Sequence, residues 1–246
     1  MNINRLSLDQ RVQVLNSMIN LPVKVIHAEY SLLMSAHDDC SRPSEYLLDV
    51  ALGAIRETRK ISMPEISARI KTPPYLTEVW PGEHYKLLAG LMVYLRPQSV
   101  VEIGTATGLS ALTMKEFLPS EAKLVTFDIA RWETFAATVL RKEDFTDGRL
   151  VQIIDDLSVP AVMEKHADLL RNADFIFLDA PKDGKFEPRF LTMLAKIPFT
   201  KPPLLLFDDI HLWNMLAVWR NIRAPKIDLT SFGHWSGTGL VQLALP

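Results

Sequence analysis

The stretch Val100 to Met114, reading V-V-E-I-G-T-A-T-G-L-S-A-L-T-M, constrains this chain more than any other. A short apolar run with β-branched Val100, Val101 and Ile103 ends at Gly104 and Gly108, and Ala111, Leu112 and Met114 then resume at helical spacing. The order is strand, tight turn, helix. Glycine in such a turn lets the backbone approach a ligand closely, and the new helix offers unpaired N–H groups above the strand end. The spacing Gly-x-x-x-Gly departs from the dinucleotide fingerprint Gly-x-Gly-x-x-Gly, because Ala106 stands where a middle glycine would admit a pyrophosphate. Glu102, at the carboxyl end of the strand, would repel phosphates and suit a cationic or amino-bearing ligand. The next apolar strand, Leu124 to Phe127, ends in Asp128, an acidic side chain able to accept hydrogen bonds from both ribose hydroxyls.

Upstream of this turn the pattern is helical. Leu6 to Ile19, Val23 to Ala36 and Pro43 to Lys60 each carry apolar residues three or four apart, with Ser7 and Ser41 as starts for the first and third helices. Residues 1–75 therefore read as a helical cap that covers the functional face, shapes a pocket or mediates association into a homodimer. His27, His37, Asp38, Asp39 and Cys40 form no recognisable metal-ligand spacing. Lys71 to Tyr75, with consecutive prolines, reads as a rigid hinge, and residues 76–246 as the main domain.

Within that domain a helix is expected from Gly82 to Leu95. Strands are expected near Leu124–Asp128, Leu150–Ile154, Phe175–Asp179 and Leu204–Asp208. Helices are expected near Trp132–Arg141, Pro160–Arg171, Phe186–Ala195 and Leu212–Ile222. Such alternation implies an α/β fold, a parallel sheet with right-handed crossovers and helices on both faces. Lys226 to Thr230 and Leu240 to Leu245 have no helix between them and should pair antiparallel.

Open α/β sheets bind ligands beyond the carboxyl ends of their strands. Asp128, Asp155 or Asp156, Asp179, and Asp208 with Asp209 all stand at such ends. Clustered carboxylates repel one another unless a cation or hydrogen-bond donors compensate, so the set points to a ligand crevice, although one aspartate alone would serve as a helix cap. Oxygen ligands without a suitable cysteine or histidine set favour magnesium, manganese or calcium over zinc.

Composition narrows the function further. The 246 residues are 48% hydrophobic, with 27 basic and 29 acidic side chains, so no nucleic-acid footprint or polybasic membrane contact is expected. A single cysteine, no membrane-length apolar run and an amino terminus without a signal-peptide core lead us to expect a soluble, cytoplasmic protein.

E-I-G-T-A-T-G-L-S-A-L followed by V-T-F-D resembles the cofactor site of class I S-adenosylmethionine-dependent methyltransferases. D-F-I-F-L-D-A-P-K-D-G-K-F with L-L-L-F-D-D-I resembles the catechol and caffeoyl-CoA type of metal-dependent O-methyltransferases, in which a strand-end Asp has a Lys three residues on and a later strand ends in Asp-Asn. The resemblance spans roughly Trp80 to Leu245. It implies a Rossmann-like seven-stranded sheet in the order 3-2-1-4-5-7-6 and methyl transfer to a hydroxyl of a small molecule, a hydroxylated aromatic first. By motif position Asp179, Asp208 and Asp209 would hold a divalent cation, magnesium first, and Lys182 would be the general base, its pKa depressed by the metal. Glu102, Gly104, Thr105, Ala106, Gly108 and Ser110 would surround the amino-acid tail of S-adenosylmethionine, with Asp179 beside them. Asp128 would take the ribose, Asp156 with Leu157 the adenine edge, and Trp80 would approach the cofactor; Asp155 and Asp156 remain interchangeable.

Three departures accompany the resemblance. Asp209 replaces the usual Asn, Pro181 replaces a bulky aromatic before the Lys, and His234 with Trp235 stands where an acidic substrate-gripping residue belongs. A metal-independent methyltransferase and a non-catalytic S-adenosylmethionine-binding scaffold stay open beside the leading reading. A nicotinamide-dependent oxidoreductase is disfavoured by Glu102 and the missing middle glycine.

Overall fold

The computed structural model describes residues 41–71, 77 and 83–243. The first two expected helices, the hinge after Lys71, and Trp80 lie outside the described residues. The third expected helix is α1 (Glu45–Thr58). Its cap is Ser44, not Ser41: the Ser44 hydroxyl accepts the Leu47 N–H at 3.1 Å and donates to Gln242 Oε1 at 2.6 Å, while Ser41 donates to the Ile222 carbonyl. A short α2 (Pro64–Ser67) follows, then α3 (His84–Leu95), which leads into β1 (Ser99–Ile103).

The remaining elements are α4 (Leu109–Phe117), β2 (Lys123–Asp128), β3 (Leu150–Ile154), α5 (Pro160–Lys165), α6 (Ala167–Arg171), β4 (Phe175–Leu178), α7 (Phe186–Leu194), β5 (Leu204–Asp208), α8 (Trp213–Asn221), β6 (Lys226–Asp228) and β7 (Thr238–Gln242). The strands form one sheet in the order β3-β2-β1-β4-β5-β7-β6. β1 to β5 pair in parallel, and β7 runs antiparallel to both β5 and β6. The seven-stranded mixed sheet expected from the sequence is the one observed.

Strand periodicity divides the core into two layers. Val100, Leu124, Phe175, Phe177, Leu204 and Leu206 pack under α1, α3 and α4. Val101, Ile103, Phe127, Ile176, Leu205 and Phe207 pack under α5 to α8. Glu102 and Asp208 follow the period of the first layer, so their carboxylates point to the side that α3 covers. Among the described residues no helix is long and apolar enough to cross a membrane.

Two expectations are corrected. The helix expected over Trp132–Arg141 is absent: only single 3-10 turns form, at Trp132–Thr134 and Lys142–Phe145. The segment's polar groups bond outward instead. Val139 N–H and Thr138 Oγ1 donate to the Thr107 carbonyl at 3.0 and 3.1 Å, and Trp132 N–H donates to Gln152 Oε1 at 3.1 Å. The helix expected over Pro160–Arg171 breaks at His166, whose ring bonds back to Asp155 at 2.7 Å.

The irregular connection is anchored by Asp144, 7% exposed, which receives Arg69 Nη1 on both carboxylate oxygens, at 3.0 and 2.7 Å, and the Arg141 N–H at 2.7 Å. We predict that Arg69→Ala, by leaving this carboxylate buried without its cation, lowers unfolding free energy by about 1.5–3 kcal/mol in urea denaturation. Adding Asp144→Asn should recover part of that loss; a single variant as stable as wild type would show that the anchor does not hold the loop.

Candidate active site

The site begins where β4 stops. Asp179 N–H still donates to the Ile103 carbonyl of β1 at 2.9 Å, and the chain then turns at Lys182 with a left-handed φ of 57°. Glu187, 1% exposed, holds that turn: its two oxygens accept the N–H groups of Lys182 at 2.8 Å and Gly184 at 3.1 Å. Asp183 caps α7 by accepting the N–H groups of Lys185 and Phe186. Lys182 therefore does not pair with its neighbour Asp183 at the surface. Its ammonium turns inward to Asp179, and lies 3.0 Å from Asp209 Oδ2.

Charge sets the protonation of this cluster. Burial works against the Lys182 charge, but Asp179, Asp209 and Asp208 outweigh it and hold the ammonium above the usual lysine range. The depression expected from the sequence is one that a bound metal causes; without a cation these carboxylates hold Lys182 protonated. Burial and the Asp208 charge push Asp179 up, with Lys182 pulling against them.

The second half of the site is the end of β5. Asp208 and Asp209 are 4% and 7% exposed, and Asp209 adopts a left-handed φ of 59°. Asp209 Oδ1 accepts the Ser236 hydroxyl and lies 3.0 Å from His234 Nδ1. Although burial opposes ionisation, these contacts and Lys182 hold the Asp209 carboxyl well below the usual carboxylate range. His234 loses hydration but gains Asp208 and Asp209, which raise it to about 9.

His84, the first residue of α3, completes the cluster. Its Nδ1 is 3.7 Å from Asp208 Oδ1, and His234 Nδ1 is 3.5 Å from that same oxygen. His84 Nδ1 and Asp208 Oδ1 are buried without a hydrogen-bond partner. Burial, opposed by Asp208, lowers the His84 pKa. A main-chain bond from Glu83 N–H to the Phe232 carbonyl, 3.2 Å, ties the start of α3 to the β6–β7 connection, and the two imidazole rings are 5.2 Å apart. Ligand atoms of Asp208, Asp209 and His234 lie within 4.8 Å of one another. His84, which the sequence reading leaves out of the site, and His234 both lie beside the strand-end aspartates. The available signal was a histidine opening the helix that feeds β1, at the sheet end where the aspartates gather.

The model of the O-methyltransferase family matches residues 63–221 of this chain. The chain belongs to the O-methyltransferase family. It is 25% identical over 204 residues to a caffeoyl-CoA O-methyltransferase of Pinus taeda, covering 78% of this chain and 72% of that protein. To caffeoyl-CoA O-methyltransferase 2 of Zea mays it is 28% identical over 180 residues, covering 69% of this chain and 62% of that one. A solved methyltransferase structure from Geobacter sulfurreducens superposes with a TM-score of 0.52 at 17% identity, over 78% of this chain and 97% of that one, which speaks for the fold.

In this O-methyltransferase family member the residues expected around a cofactor divide by accessibility. Ala106 is exposed, and Gly104 and Asp128 are half-buried. Asp128 Oδ2 accepts the Ala106 N–H and Oδ1 the Ala130 N–H, both at 2.9 Å, so the second strand end is latched to the turn after β1. Gly104 fits because a Cβ there would strike the Asp179 carbonyl. Gly108, N-terminal to α4, is buried with φ 78°. Thr105 turns inward to Thr126 at 2.7 Å, and Ser110 donates to Glu102. Asp155 is engaged by Lys165 and His166, while the Asp156 carboxylate accepts the Ser158 N–H at 2.8 Å, beside buried Leu157.

Glu102 is fully buried with Oε2 unpartnered, and burial pushes its pKa from 4.5 to about 8. Because the unfolded chain releases this proton at lower pH than the folded protein, its contribution is full below about pH 4.5 and is lost as pH rises through 8. Glu102→Gln should flatten that fall and raise stability at pH 9 by about 1–3 kcal/mol. Thermal denaturation of ligand-free protein from pH 5 to 9 checks it; parallel profiles for variant and wild type would contradict the buried, protonated carboxyl.

Proposed function

We propose that the protein transfers the methyl group of S-adenosylmethionine to a hydroxyl of a small molecule, with a divalent cation at the ends of β4 and β5. The observation that carries this reading is the convergence of Asp179, Lys182, Asp208 and Asp209 beside the turn after β1, in a chain of this family. S-adenosylmethionine, when bound, supplies an electrophilic methyl on its sulfonium. A divalent cation, when bound, lowers the pKa of a hydroxyl it holds. The donor set suits such an ion: Asp208 Oδ1 is buried without a partner, and Asp209 offers an ionised carboxylate beside it.

The chain's own groups supply the rest. Asp128, latched to the Ala106 N–H, keeps lone pairs for ribose hydroxyls, and the turn after β1, with Ala106 exposed, is where we assign the amino-acid tail. We assign the adenine edge to the loop of Asp156 and Leu157. Lys182 is the group positioned to take the acceptor's proton: a cation entering the carboxylate cluster competes with its ammonium for Asp209 and Asp179, and so removes the interactions that hold it protonated. A hydroxylated aromatic is the acceptor class we favour. Trp235 and Trp213 are 70% and 87% exposed, and the Trp235 ring lies 5.7 Å from the His234 ring at the rim of the cluster.

Two variants test the reading. Asp128→Ala should weaken S-adenosylmethionine binding by about 1–3 kcal/mol in calorimetry while the fold survives. Unchanged affinity would remove Asp128 from the cofactor site. With S-adenosylhomocysteine formation over a panel of hydroxylated aromatics as readout, Lys182→Ala should lower kcat by about 100-fold or more, with little change in cofactor affinity. Near-wild-type turnover would take Lys182 out of the mechanism.

A further inference from the structure

Helix α1 is apolar on two sides. Its inner side, Leu47, Val50, Ala51 and Ala54, packs into the first layer of the core and is at most 2% exposed. The opposite side carries Tyr46, Leu48 and Leu52, which are 47%, 43% and 56% exposed. Tyr94 of α3, 37% exposed, extends this side: its ring lies against Gly53, where an added Cβ would strike it, and its hydroxyl donates to Asp49 Oδ2 at 2.6 Å. A surface helix ordinarily turns a polar side outward, so a contiguous outer patch of leucine and tyrosine marks a face that something covers.

The charges beside the patch identify what covers it. Leu52 stands at the middle of the outer side. Asp49 and Glu45 lie one and two turns before it, Arg56 and Arg59 one and two turns after it, and all four are exposed. A second α1 laid antiparallel on the first, about a two-fold axis at Leu52, sets Leu52 against Leu52, Leu48 against Ile55, Asp49 against Arg56 and Glu45 against Arg59. Every contact but the first occurs twice. A parallel pair would instead set Glu45 against Glu45 and Arg59 against Arg59. The face is thus complementary to itself in one orientation, in charge as well as in apolar surface, and an unrelated partner would require no such register.

We propose that the outer side of α1, with Tyr94, is the contact between two copies of this chain, packed antiparallel about Leu52. Leucine and isoleucine form its centre and the ion pairs its rim. One helix pair is small for a specific interface, which puts dissociation in the micromolar range.

Sedimentation of the full chain between about 1 and 200 μM tests this. Expected is a concentration-dependent rise from the mass of one chain to that of two. Leu52→Glu, which brings two carboxylates together on the axis, should abolish the rise. Asp49→Arg and Arg56→Glu should each weaken association by about tenfold or more, because each sets like charges opposite one another. An equimolar mixture of these two variants restores opposite charges at both positions and should associate within about threefold of wild type. Circular dichroism checks folding, and should Leu52→Glu not fold, the two charge variants at exposed positions decide. A wild-type chain still monomeric at about 200 μM overturns the proposal. So does that monomer with a melting temperature lowered by Leu52→Glu, since the face is then covered within one chain. A dimer indifferent to both charge reversals, or a mixture that associates no better than its components, overturns it too.

Discussion

Everything at the functional end of this molecule follows from placing three carboxylates on the ends of two adjacent strands. Asp179 leaves β4, and Asp208 and Asp209 leave β5, its direct parallel neighbour. Like charges about 4 Å apart repel by about 4 kcal/mol at the effective dielectric of a protein surface, so the cluster persists only with positive charge built into it. Lys182 and His234 are that charge, and each arrives from a different loop. The buried Glu187 that fixes the Lys182 turn, and the Glu83–Phe232 main-chain bond that aligns α3 with the β6–β7 connection, are the supports which bring them in.

Backbone geometry marks the same region. Four described residues other than glycine have left-handed φ, and three of them, Ala106, Lys182 and Asp209, sit at the ligand-facing strand ends; Arg96 caps α3 elsewhere. A side chain in that conformation costs about 1–2 kcal/mol, which hydrogen bonds must offset. Ala106 receives its compensation from Asp128, Lys182 from Glu187 and Asp179, and Asp209 from Ser236 and Lys182.

How much of this could be read from the residues depends on the range of the interaction concerned. β1 and its turn, the strand-end aspartates and the antiparallel closure are local patterns, and the sheet order came with the motif resemblance, because each motif fixes which strand it ends. Trp132–Arg141 failed for the opposite reason. Its apolar spacing suits a helix, but Thr138 and Val139 find partners on Thr107, across the turn after β1, which no local pattern announces. His84 was hidden likewise. Its meaning arises only when α3 is laid across the first layer of the sheet and its ring meets Asp208, a residue from the far half of the chain. Lys182 was legible as a position after β4, but the pull of Asp209 and Asp208 on its ammonium was not, since that depends on how many carboxylates the folded sheet brings around it.

The contact between Gly104 and the Asp179 carbonyl joins two parts that function would treat as separate, the turn above β1 and the loop that bears Lys182. With a side chain excluded at Gly104 and the Asp179 N–H bonded to Ile103, neither loop can drift without moving the other. If the donor binds over the turn after β1, as proposed above, its distance to the loop that bears Lys182 is set by this backbone packing and not by mobile side chains. Chimeras that exchange acceptor specificity between relatives should therefore transplant the segments after β1 and β4 together and vary the β6–β7 connection independently.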